Sequence, residues 1–138
     1  MKGILQISPL HSPPTIVQNE IQSAGLMKLL SQLVELHVTP TTSPDIHSLA
    51  LNKVSFYDRP QPDYASGNSV SATETTVSFT SSSDGVWVNA VLDYGIEFSN
   101  VSTASLSFGD TIFSLASIIP SKDKQVTDKW IIQWKITS

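Results

Sequence analysis

The stretch Asp128–Ser138 (DKWIIQWKITS) decides the fold. Trp130, Ile132, Trp134 and Ile136 fall on one side of a period-2 pattern, and Ile131, Gln133, Lys135 and Thr137 fall on the other. Alternation of this kind marks a strand with one buried face. Two of the three tryptophans lie on that face. Aromatic and β-branched residues suit a pleated, half-buried surface, so the stretch is expected to close a sheet.

Working back toward the N-terminus, the same grammar recurs. Candidate strands are 72–80 (ATETTVSFT), 86–94 (VWVNAVLDY), 95–101 (GIEFSNV) and 110–119 (DTIFSLASII). Turn signals separate them at Ser83-Asp84-Gly85, Ser107-Phe108-Gly109-Asp110 and Pro120-Ser121-Lys122-Asp123. Residues 46–57 read as a strand pair or one long bent strand, and 58–69 (DRPQPDYASGNS) as a polar loop. Short strands at this spacing predict an antiparallel β-sandwich or a jelly-roll-like domain.

The N-terminal part reads differently. Residues 1–14 are expected to form an extended arm: 2–8 read as a short strand or an N-terminal arm, and 9–14 as a linker stiffened by Pro9, Pro13 and Pro14. Such an arm could dock a neighbour by strand addition. Thr15 and Gln18 have capping-box spacing, and Leu26, Leu29, Leu30 and Leu33 recur at helical spacing, with Val17 and Ile21 extending the stripe. One amphipathic helix is therefore expected over about 16–37. The fold class that follows is α+β, mainly β: one helix packed on a sandwich, with residues 15–138 as a single domain.

Composition narrows the function classes. The 138 residues suffice for one core, and the absence of cysteine excludes disulfides and thiolate chemistry. A net charge of -4 with Arg59 as the single arginine argues against nucleic acid as a partner. Charged residues make up 14%, against about 25% in an average domain, and serine and threonine fill about a quarter of the chain. No apolar run reaches membrane-spanning length, and prolines interrupt the one short apolar stretch near Met1, so a soluble protein made in the cytoplasm is expected.

Catalytic and cofactor signals are weak. His11, His37 and His47 form no metal-binding spacing, no nucleophile elbow surrounds any serine, and the glycines are scattered singly. Asp93 and Glu97 flank a Tyr94-Gly95 turn and are the best paired carboxylates; glycoside hydrolysis would require them to face each other across a cleft. Asp58, Asp63 and Asp84 lack the spacing of a calcium loop. The expectation is a non-enzyme without metal or cofactor. Trp87 alternates with Asn89 opposite Val86, Val88 and Ala90, which makes it the exposed tryptophan. With Tyr57, Tyr64 and Tyr94 it completes the candidate set for glycan or partner contact.

The order of parts resembles bacteriophage tail-fibre and baseplate-associated domains. EIQSAGLMKLL (20–30) is similar to an "N-x-I-T-x-A-G" helix near their start, and Gly95-Ile96-Glu97-Phe98 to their "E-x-G-hydrophobic-F" strand. GDTIFSLASI (109–118) and SKDKQVTDKWIIQWKITS (121–138) resemble their last two strands. Leu49–Lys53 lacks the family's glycine-rich turn, and Glu97 follows its glycine instead of preceding it. The resemblance implies a virion structural protein of a tailed phage, made in the host cytoplasm and located in the tail. It would be a homotrimer or ring that contacts other tail or fibre proteins. A carbohydrate- or receptor-binding module is the alternative, with a host glycan as ligand.

Overall fold

In a computed structural model, residues 2–21, 53–79, 85–108 and 111–137 are described. They form nine strands: β1 (Lys2–Pro9), β2 (Thr15–Ile21), β3 (Lys53–Tyr57), β4 (Ser69–Ser71), β5 (Thr73–Phe79), β6 (Gly85–Leu92), β7 (Phe98–Phe108), β8 (Thr111–Lys124) and β9 (Trp130–Thr137). The only helical element among them is a 3-10 turn, Tyr64–Ser66. All strand pairs are antiparallel, in the order β4-β3-β7-β8-β2-β1-β9-β6-β5.

Two four-stranded halves emerge from that order, β5-β6-β9-β1 and β8-β7-β3-β4, with β2 between them. Residues 15–19 of β2 pair with β1, and Glu20 and Ile21 pair with β8. On the opposite side β4 runs into β5 through Ala72, whose N–H donates to Val54 O at 2.8 Å. Strands that change sheets at both sides fold the two halves over one core, a sandwich-like arrangement.

The core follows from the alternation. Trp130, Ile132, Trp134 and Ile136 of β9 are all buried, beside Leu5 and Ile7 of β1 and Val88, Ala90 and Leu92 of β6. Facing them from the other half are Val54, Phe56, Ala104, Leu106, Ala116 and Ile118. The closing stretch therefore does form a strand with one buried face, and it lies between β1 and β6 inside its sheet, not at an edge.

Two expectations are corrected and one is narrowed. The helix expected over 16–37 is not formed where its start is described: Thr15–Ile21 is a strand, and 22–37 lie outside the described residues. Val17 and Ile21 satisfy i, i+4 spacing, but they equally satisfy period 2 with Asn19 between them. Ile16 and Val17 favour the strand, and Ile16 and Gln18 are exposed while Val17, Asn19 and Ile21 are half-buried. Of the expected arm, residues 2–9 form a strand, the other reading of 2–8: β1 is paired with β2 on one side and β9 on the other, with Leu5 and Ile7 buried. The expected turn at Pro120–Asp123 is a bulge within β8: Thr103 pairs with Ser117 and Val101 with Lys122, so a step of two residues on β7 matches five on β8. The bulge turns Ile119 outward, 86% exposed.

Smaller shifts concern strand ends. The strand expected over 95–101 begins only at Phe98, after a turn at Tyr94 and Gly95. Of 46–57, only 53–57 is described, as β3. The polar loop 58–69 contains the 3-10 turn and leads into β4.

Candidate functional site

Register fixes one end of the molecule as a cluster of loops. Pro9 and Leu92 both pair with Trp130, and Phe98 pairs with Lys124, so β1, β6 and β8 stop, and β7 and β9 start, at that end. Loops 10–14, 58–68, 93–97 and 125–129 all emerge there.

Lys124 joins two of these loops. Its side chain is fully buried. Nζ donates to Ile96 O (2.9 Å), Gln125 O (2.6 Å) and Asp128 O (2.5 Å), which uses all three ammonium hydrogens. Burial pushes its pKa below the ordinary lysine value, while the carboxylates of Asp128 and Asp93 pull it back up. Asp128 extends the network: Oδ1 accepts from Leu10 N (3.1 Å) and Lys129 N (2.8 Å). Gly95 takes the left-handed conformation that glycine tolerates, φ 84, and donates from N to Val126 O at 2.8 Å. Loops 10–14, 93–97 and 125–129 are thereby one bonded unit.

That unit presents apolar side chains outward. Leu10 is 52% exposed, Tyr94 51% and Val126 45%. One comes from each loop, and Lys129 Nζ lies 6.0 Å from the Tyr94 ring centroid. Exposed large apolar groups on a rigid frame suit a contact surface.

The four aromatic residues singled out in the sequence lie in three places. Tyr94 belongs to the loop patch. Tyr57 and Tyr64 pack edge to face, centroids 4.9 Å apart, and the Tyr57 hydroxyl bonds to Ser105 Oγ at 3.0 Å. Burial, and then the neighbouring Tyr57, raise the Tyr64 pKa. Together with Gln61 Nε2 to Ser117 Oγ (3.0 Å) and Thr103 Oγ1 to Arg59 O (2.8 Å), this pair closes loop 58–68 over the hydroxyl-rich outer face of β7 and β8. Trp87 lies on the outer face of the other half, with Lys135 Nζ 5.2 Å from its ring centroid.

The acidic pair is also separated in role. Asp93 Oδ1 accepts from Tyr94 N at 2.7 Å, a local turn bond. Glu97 instead lines a shallow depression of about 420 Å³ with Asp58, Asn68, Phe98, Ser99 and Asn100. Asp58 is engaged there by Asn68 N (2.8 Å) and Nδ2 (3.0 Å). Among the described residues no group of three or more His, Cys, Asp or Glu is placed to hold a metal ion, and no helix is long and apolar enough to cross a membrane. His11 is exposed next to the β1–β2 turn, and His37 and His47 lie outside the described residues.

Sequence reasoning passed over Lys124, Leu10 and Val126. Lys124 sits in a run of charges that reads as solvated, and its acceptors come from loops remote in sequence. The signal for the other two was present: isolated large apolar residues within polar loops, Leu10 flanked by prolines. No protein-family model, curated protein or solved structure matches this chain.

Proposed function

We propose that the chain is a non-enzymatic assembly protein that contacts a neighbouring subunit through its loop end, as a structural component of a phage tail fibre or baseplate. The observation that carries the assembly reading is that Leu10, Tyr94 and Val126 are each exposed on one of three loops bonded to one another. Binding energy concentrates in aromatic and aliphatic side chains that are already held in place, because little further entropy is lost on docking. Buried Lys124 supplies that rigidity. The tail setting and the trimeric or ring symmetry rest on the resemblance of residues 109–118 and 121–138 to tail proteins, and the jelly-roll-like topology rests on the spacing of the short strands.

The catalytic reading has less support. Asp93 is occupied by its own turn, and the depression beside Glu97 is bordered by Asp58. A photo-crosslinking amino acid at position 94 tests the contact: covalent joining of two copies, or of this chain to a purified tail partner, supports it. Crosslinks that form at position 87 but not at 94 would contradict it.

A further inference from the structure

The outer face formed by the adjacent strands β2, β1, β9 and β6 carries a second arrangement, independent of the loop end. Residues directly opposite in antiparallel strands share a face. One row therefore runs Trp87–Lys135–Ile4–Gln18, and the next runs Asn89–Gln133–Gln6–Ile16. Trp87, Asn89, Gln133 and Gln6 are half-exposed, Ile4 is 39% exposed and Ile16 66%. Beneath them Val88, Trp134 and Leu5 are fully buried, so the face is backed by the core and holds its shape.

We propose that this face binds a linear carbohydrate chain, with Trp87 as stacking platform and the side-chain amides of Gln133 and Gln6, on adjacent strands, as the hydrogen-bonding groups; Gln6 Nε2 also donates to Ser8 Oγ at 3.3 Å and keeps its carbonyl oxygen for the ligand. An indole offers a flat, electron-rich surface to the axial C–H groups of a pyranose. An amide offers a donor and an acceptor side by side, which matches vicinal hydroxyls. Strands are spaced by about 4.8 Å, close to the length of one pyranose unit, so successive amides can meet successive sugars. Lys135 over the indole is a solvent-facing contact that a ligand can displace, and its ammonium remains as a donor at the platform edge.

The alternative occupant of such a face is another protein, drawn by Ile4 and Ile16. Calorimetric titration with the hexasaccharides of β-1,4-glucose, β-1,4-N-acetylglucosamine, β-1,4-mannose and α-1,4-glucose separates the two. Binding of at least one is expected. Trp87→Ala should weaken it by roughly tenfold, Gln133→Ala and Gln6→Ala should weaken it several-fold, and Tyr94→Ala, at the loop end, should leave it in place. Gln133→Ala and Gln6→Ala keep the test decisive if Trp87→Ala does not fold. No binding to any of the four, binding unchanged in folded Trp87→Ala and in Gln133→Ala, or loss of an oligomer in these variants without sugar binding would overturn the proposal.

Discussion

The Phe56 ring meets the Trp130 ring edge to face, with centroids 5.9 Å apart and planes at 86°. Phe56 belongs to β3 and Trp130 to β9, so this pair joins the two halves across the core. Both side chains are buried. Edge-to-face geometry places the positive ring edge against the negative face and adds about 0.5–1.5 kcal/mol beyond burial.

Truncating either ring should leave a cavity between the halves. Phe56→Ala and Trp130→Ala are each expected to destabilise by about 3–5 kcal/mol. In urea unfolding the double variant should cost less than the sum, because both substitutions empty the same space. Strict additivity would show that the rings do not touch.

Gly3 pairs directly with Asn19, and a Cβ at Gly3 would collide with the Asn19 amide. Gly3→Ala should therefore destabilise by about 1–3 kcal/mol. The Asn19 amide atoms are buried without hydrogen-bond partners. Asn19→Ala alone should cost little, and combined with Gly3→Ala it should recover most of the loss. Thermal melting of the three variants checks this; no recovery in the double variant would place the strain elsewhere.

Lys124→Met removes the donor to three carbonyls and should destabilise by about 3 kcal/mol or more, since each carbonyl left dry costs about 1–3 kcal/mol. The pH dependence has a definite sign. Burial lowers the Lys124 pKa in the fold, so between that lowered value and the ordinary 10.5 the unfolded chain binds more protons. Wild-type stability relative to Lys124→Met should accordingly rise with pH through that window. A relative stability that falls there would contradict the direction of the shift.

Deleting residues 2–14 removes β1 from between β2 and β9. The expected outcome is loss of cooperative unfolding, visible by circular dichroism. A truncated chain that still melts cooperatively would show that β1 is dispensable and restore the arm.

How legible the molecule was depends on where its constraints originate. Alternation in Trp130–Thr137 exposed the core strand because the pattern is local and two-sided. Val17 and Ile21 misled because four-residue spacing fits both periods, and pairing with β1 decided between them. Pro120 read as a turn because proline blocks ladder bonding, yet a bulge accommodates it without reversing the chain. Alternation separated Trp87 from buried Val88 and Ala90, and the indole is half-buried on the outer face beside Lys135. Its company was not legible, because Gln133 and Gln6 reach it only through the register of β6, β9 and β1. Lys124 was hidden for the same reason, its acceptors being backbone atoms of loops brought near only by folding.

Light scattering on a size-exclusion column, applied to the wild type and to a Leu10→Asp/Tyr94→Asp/Val126→Asp variant, separates loop-end assembly from a free chain. The expected result is a discrete trimer or higher ring for the wild type and a folded monomer for the variant, with an unchanged melting temperature. A wild-type monomer, or an assembly that survives all three substitutions, would contradict self-assembly through the loop end.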